Sequence, residues 1–336
     1  MDVEDTASSI GDALEGANVL LTGGAGFIGS WLCDALIHLN ARVTCLDNLS
    51  SGRISNIDHI RSERFKFINQ DVCGFEAEER YDYILHLASI ASPEDYEKRP
   101  DEALLSNSLG SHRVLEAARK GGSTVLFTSS SEVYGDADVI PTPESYWGRV
   151  NPVGIRSCYE EAKRFGEALF MAYHRHYGVD IRIARIFNSY GPRIRADGAY
   201  ARVVPRFIIQ ALRNQDITVY GDGHQTRSFC YIADTVKALL LQLVKENALG
   251  ETLNIGSPFE VSILELAKKI REAVRSKSKI TFHPPRVDDP KRRCPELTKT
   301  EKVLGWKPQT SLSDGLYKTI KWFQARVKTN CNEKEP

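Results

Sequence analysis

The sequence predicts an α/β protein built on a doubly wound parallel sheet, with a smaller C-terminal substrate-binding lobe over its cleft. Three observations carry this expectation. Short apolar runs alternate with stretches of helical period through the first half. The first run ends in the glycines Gly23 and Gly24. The rhythm then becomes irregular after residue 188.

The elements follow in order. Residues 18–22 (NVLLT) form a short apolar run closed by glycines, the pattern of a buried parallel strand. A helical pattern follows through Ile28, Leu32 and Leu36, then a second apolar run at 42–46. Further strands read at 65–68, 82–87, 124–128 and 180–186, with helices at about 101–120 and 158–177. Strand and helix alternating at this spacing imply a doubly wound sheet, which binds ligands at its carboxyl strand ends. Beyond it, helices near 203–213, 234–246, 262–275 and 313–328 make up the lobe. The organisation expected is a tail over 1–16 and a dinucleotide-binding domain over 17–188, to which 228–256 contributes. The lobe follows over 189–328, then a second tail over 329–336.

Composition excludes several classes. Of 336 residues, 42% are apolar and 26% charged, as in ordinary soluble globular proteins. The 44 basic and 44 acidic residues cancel and form no basic stripe, so no nucleic-acid partner is expected. No apolar stretch approaches the roughly 20 residues that span a bilayer, and the acidic, polar start is no secretory signal. Seven scattered cysteines without CxxC pairing read as buried thiols in a reducing cytosol, so a cytoplasmic location is expected. His174 and His176 flank Arg175 with poor ligand spacing, and no metal is expected.

The segment Thr22-Gly23-Gly24-Ala25-Gly26-Phe27-Ile28-Gly29 leaves the first strand and opens the first helix. Gly23 permits the tight turn, Gly26 lets the backbone approach a pyrophosphate, and Gly29 lets helix and sheet pack closely. The helix start offers free N–H groups to phosphates. Asp47 lies 18 residues beyond Gly29, at the end of the second strand with Asn48 beside it. An acid there accepts from a ribose 2′-hydroxyl and repels a 2′-phosphate, which favours NAD over NADP. Asp71 and Val72, ending the third strand, would flank the adenine.

Tyr159 and Lys163 are four residues apart, on one face of an amphipathic helix. A lysine cation near a phenol favours the phenolate, which would make Tyr159 a usable base. Ser129, Ser130 and Ser131 close a strand and would place hydroxyls over the same cleft. A non-catalytic NAD-sensing protein would have no need for both Tyr159 and Lys163, and both are present.

The Gly-x-x-Gly-x-x-Gly spacing, with Ser130, Tyr159 and Lys163, resembles the extended branch of the short-chain dehydrogenase/reductase superfamily, whose cofactor domain is a Rossmann fold. Within it, six segments resemble the UDP-glucuronate decarboxylases, or UDP-xylose synthases: Ala91-Ser-Pro-x-x-Tyr96, Ser131-Glu132-Val-Tyr-Gly, Tyr146-Trp-Gly-x-Val-Asn-Pro152, Arg185-Ile-Phe-Asn-x-Tyr-Gly-Pro-Arg193, Gln225-Thr-Arg-x-Phe229 and Asp288-Asp-Pro-x-x-Arg293-x-Pro295. The dTDP-glucose 4,6-dehydratases and the 4-epimerases are the nearest relatives of that family. Dehydratases carry Asp-Glu where this chain has Ser131-Glu132, and epimerases usually lack the Glu.

The resemblance implies NAD-dependent decarboxylation of UDP-glucuronate through a 4-keto intermediate, with NAD recycled. It adds Leu87, Ala88, Ser89, Asn107 and Arg193 to the cofactor site. Tyr96, Ser131, Glu132, Asn188, Tyr220, Arg227 and Arg293 become substrate residues, with Glu132 and Arg293 assigned to C5 protonation and carboxylate handling. A homodimer through the helices at about 103–120 and 158–177 is also implied. The chain departs from the decarboxylase pattern at Pro205-Arg206 and at Glu94-Asp95. A nucleotide-sugar 4-epimerase and a 4,6-dehydratase are the alternative enzymes, and dTDP the alternative nucleotide.

Overall fold

The computed structural model describes residues 10–196, 202–285 and 290–332. Seven parallel strands form the central sheet: β1 (Asn18–Thr22), β2 (Arg42–Leu46), β3 (Phe65–Ile68), β4 (Tyr83–His86), β5 (Thr124–Ser130), β6 (Ile181–Ile186) and, much later in the chain, Thr252–Ile255. Helices α1 (Phe27–His38), α2 (Pro93–Lys98), α3 (Pro100–Gly121) and α4 (Ser157–Tyr177) connect them. Side chains alternate across each strand. Val19 and Leu21 of β1 pack with Leu32 and Leu36 of α1 on one face, whereas Leu20 packs with Val114, Leu115 and Phe170 on the other. With helices on both faces, strands read as continuous apolar runs.

Sheet order places the cleft. Strand β1 pairs with β2 on one side, Thr22 opposite Leu46, and with β4 on the other, Thr22 opposite His86. The chain winds outward through β2 and β3, then returns to β4, so its direction reverses at β1. That switch point opens a crevice beyond the strand ends, where loops from both halves converge.

The lobe carries β7 (Ser189–Tyr190), α5 (Val203–Leu212), β8 (Ile217–Tyr220), β9 (Thr226–Ser228) and β10 (Cys230–Tyr231). After α6 (Ile232–Val244) comes the sheet's edge strand, here β11, then β12 (Glu260–Ser262), α7 (Ile263–Val274), β13 (Ile280–His283) and β14 (Arg292–Arg293). Helices α8 (Thr298–Leu304) and α9 (Leu312–Asn332) finish the described chain. Phe207 of α5 and Ile270 of α7 share one buried cluster with Leu32 of α1, so lobe and sheet have a continuous core.

Two expectations need correction. Residues 10–16, expected as tail, form a 3-10 turn at Gly11–Leu14 with Leu14 fully buried, because that leucine has apolar surface to lose against α1 and β2. Residues 1–9 of that tail lie outside the described residues. The last helix also runs to Asn332, four residues beyond the expected 328. Asp288 and Asp289, which carry part of one quoted motif, lie outside the described residues.

Candidate active site

The glycine loop leaves β1 and crosses the end of β4. Gly23 has φ +74°, and a Cβ there would stand 2.8 Å from the Ala88 amide nitrogen. A Cβ on Gly29 would meet the Gly23 carbonyl oxygen at 2.2 Å. The loop therefore tolerates glycine alone at both places, and the start of α1 faces open space. The Asp47 carboxylate is fixed by two amides, Ala25 N at 2.9 Å and Leu49 N at 2.8 Å, while burial still pushes its pKa up. Asn48 donates to Asp71 at 2.7 Å. Asp71 does not end β3, which stops at Ile68; it caps the following 3-10 turn through Cys73 N at 2.7 Å, beside Val72.

A cavity of about 450 Å³ runs from this loop to the lobe. Gly23, Gly26, Phe27, Ile28, Gly29, Asp47, Asn48, Asp71, Val72, Leu87, Ala88, Ser89 and Arg193 line its first half. A tight loop that only glycine permits, an oriented acid at the end of β2 and free helical N–H groups fit a dinucleotide without a 2′-phosphate. Asn107 is the exception among the expected cofactor residues: it lies behind the wall and donates to Ser89 Oγ at 2.9 Å, because α3 passes beneath the β4 loop. The Arg193 guanidinium is held against α1 by Ser30 O at 3.1 Å and Asp34 at 2.6 Å.

Ser130, Tyr159 and Lys163 meet where β5 ends and α4 begins. Tyr159 is buried, with Ser130 near enough to favour its phenolate. The phenol nevertheless lies above its ordinary pKa, because burial outweighs that influence. The expectation that the Lys163 cation pulls it down is not met in this structure. Lys163 Nζ turns to β5, donating to Thr128 O at 2.8 Å and lying 5.9 Å from the Tyr159 ring centre. Burial also pushes the ammonium itself down to about 7. The serines divide likewise: the Ser129 hydroxyl donates to Glu167 at 2.6 Å, so it is not one of those over the cleft, since successive strand residues face opposite ways.

Beyond the phenol, Tyr96 stacks on Tyr159 at 5.4 Å, and its buried hydroxyl has no hydrogen-bond partner among the described residues. Glu132 lies between two arginines. Arg293 grips it with two nitrogens, one at 3.0 Å, and Arg156 Nη2 reaches it at 2.5 Å. Burial alone would raise the carboxyl, but the two guanidiniums win and hold it down at about 2. Glu132 is therefore a carboxylate at neutral pH, held between Arg293 and Arg156.

Arg293 pairs in register with Arg227 across β14 and β9, so the two cations stand side by side on the lobe wall. Ser131, Asn188 and Tyr220 line the same half, Asn188 donating to Ser228 O at 3.2 Å. The Arg206 guanidinium lies 4.9 Å over the Tyr220 ring.

Residues 19–256 match the NAD dependent epimerase/dehydratase family. A zebrafish (Danio rerio) protein named UDP-glucuronic acid decarboxylase 1 is 44% identical over 318 residues, 94% of this chain and 74% of that protein. UDP-glucuronic acid decarboxylase 2 of Arabidopsis thaliana is 45% identical over 314 residues, 93% of this chain and 69% of that protein. The chain belongs to the NAD dependent epimerase/dehydratase family. An epimerase structure from Methanothermobacter thermautotrophicus superposes with a TM-score of 0.89 at 31% identity, covering 99% of both chains. NAD is the cofactor, and the lining described above fits it.

Within this epimerase/dehydratase frame, sequence reasoning missed Arg156. It stands three residues before Tyr159, so helical spacing could have placed it on the same face. Also missed is the Asp95–Arg195 ion pair, 2.9 Å, which joins α2 to the lobe segment that follows β7. It neutralises one of the acids at Glu94-Asp95; Glu94 pairs with Lys98 at 2.8 Å. No helix of the described residues is long and apolar enough to cross a membrane.

Proposed function

We propose that the protein converts UDP-glucuronate to UDP-xylose and CO₂, with Ser130, Tyr159 and Lys163 at the reacting centre. The observation that carries this reading is Glu132 and its two arginines, buried on the wall that Tyr159 lines. Guanidinium forks suit a carboxylate, and a neutral hexose would make no use of two beside its C5. The decarboxylase relatives support the same substrate.

The Tyr159 phenol, raised by burial in this structure, would reach its phenolate beside the cationic ring of oxidised NAD, and takes the proton of the sugar 4-hydroxyl. NAD, which the glycine loop and Asp47 would hold, would supply a reversible hydride acceptor for C4. The C4 carbonyl is then β to the C5 carboxylate. The bond to the carboxyl carbon breaks, CO₂ leaves, and the electron pair delocalises onto the C4 oxygen. Hydrogen bonds from Ser130 and Tyr159 stabilise that enolate where its charge develops. A solvent proton adds at C5, and Tyr159 returns its proton to the C4 oxygen. Lys163, fixed on Thr128 O, holds the nicotinamide end of the site. Asn188 and Arg227 serve the diphosphate side.

We also read the protein as a homodimer, because Leu105 and Leu109 of α3 and Phe165 of α4 are exposed on adjacent helices. The deciding assay is incubation with UDP-glucuronate, following CO₂ and UDP-xylose. UDP-galacturonate without gas would make it an epimerase; no product would leave only binding. Tyr159→Phe should lower turnover by about 10²–10⁴-fold while NAD stays bound.

A further inference from the structure

Four charged side chains form one chain across the wall of the active site: Arg293, Glu132, Arg156 and Glu160. Arg156 Nε donates to Glu160 at 3.0 Å, while its Nη2 holds Glu132 at 2.5 Å. All four are at most 16% exposed. Two guanidiniums and two carboxylates cancel, so the group is electrically neutral. A sugar carboxylate entering beside Arg293 and Arg156 would be a third anion against two cations, in a setting where charge is poorly screened. Binding the acid proposed above therefore calls for one of the two carboxylates to give up its charge.

The two carboxylates are unequal. Glu132 is gripped by both arginines and stays ionised. Glu160 is hydrogen-bonded by Arg156 alone among the described residues, and burial pushes its pKa up. Glu132 and Arg293 bear on it as more distant charges. A proton arriving at this group therefore goes to Glu160. A route exists as well. Glu132 lines the main cleft, Glu160 lines a second cavity of about 170 Å³, and Arg156 lines both. That cavity, bordered by Asp136, Arg149 and Asn151, exceeds by several times the ~30 Å³ share of one water. Solvent can reach Glu160 without passing a bound nucleotide.

We propose that Glu160 is the adjustable countercharge of this site: it takes up a solvent proton through the second cavity when the sugar carboxylate binds, turning the neutral group net positive. It is a positioning residue, acting through Arg156. The inference rests on the reading of the substrate as a sugar acid. Proton uptake on binding makes affinity fall as pH rises, by up to about tenfold per pH unit. A ligand lacking the carboxylate shows no such slope.

The test uses NAD-loaded Tyr159→Phe protein, in which turnover is stalled. UDP-glucuronate and UDP-xylose are titrated by calorimetry in two buffers of different ionisation enthalpy. At neutral pH about one proton should be taken up per UDP-glucuronate and about none per UDP-xylose. Adding Glu160→Gln should abolish the uptake and flatten the pH dependence while UDP-glucuronate still binds. Equal uptake in that variant overturns the proposal. So does UDP-glucuronate binding without uptake in the parent, a comparison that stands even if Glu160→Gln does not fold. If UDP-xylose binds and UDP-glucuronate does not, the substrate reading itself falls, and this inference with it.

Discussion

Replacing Glu132 with Gln removes the central charge of the arginine cluster. The carboxyl is held at about 2 against its ordinary 4.5. At about 1.4 kcal/mol per pH unit, ionised Glu132 stabilises the fold by roughly 3 kcal/mol. The same size follows from the typical 3–5 kcal/mol lost when one partner of a buried ion pair is removed, which here strands Arg293 and Arg156. With about 2.1 cal/mol/K of unfolding entropy per residue over 336 residues, 3 kcal/mol lowers Tm by roughly 4 °C. The sign with pH is definite. A depressed carboxyl contributes its full stability above 4.5 and loses it as pH falls toward 2, so wild type and variant converge in acid. Urea titrations at pH 7 and pH 4, read by circular dichroism, measure both. A loss below 1 kcal/mol at pH 7, or a difference that does not shrink in acid, would refute the electrostatic account.

Two further predictions follow from neighbouring geometry. Gly29→Ala puts a Cβ 2.2 Å from Gly23 O and 2.8 Å from Gly24 Cα, both backbone, so the loop must shift. NAD affinity should drop at least tenfold, read by titration of intrinsic fluorescence, with about 1–3 kcal/mol of stability lost; wild-type affinity would mean the loop is softer than drawn. His86 lies between Thr22 and Ser111 hydroxyls at 2.8 and 3.1 Å, and burial pushes its pKa down to about 3. Because only the unfolded chain protonates it between 6.5 and 3, stability is present above 6.5 and should fall by about 2 kcal/mol by pH 5. His86→Gln should flatten that slope, and an unchanged slope would point to another group.

Most of the framework was legible because local rules govern it. Apolar runs such as Val19-Leu20-Leu21 have one way to be buried on both faces, and each became a strand. Helices α4 and α5 start and end within one residue of their expected limits. Short helices were harder: α2, at Pro93–Lys98, has too few turns to show a period. The strand Thr252–Ile255 lies in the 228–256 segment expected to contribute to this domain, but that it pairs with β6, about 70 positions away, is something no local pattern announces.

Taken alone, the sequence pointed to the glycine loop, the strand ends and the Tyr159–Lys163 face, since glycine spacing, strand ends and a four-residue helical step are short-range constraints. Charge state and direction were decided by the tertiary structure. Lys163 shares a helix face with Tyr159, yet a carbonyl from another strand draws its ammonium aside. Glu132 is ionised because arginines 24 and 161 positions away converge on it. Electrostatic energy depends on distance and burial in space, and neither can be read along the chain.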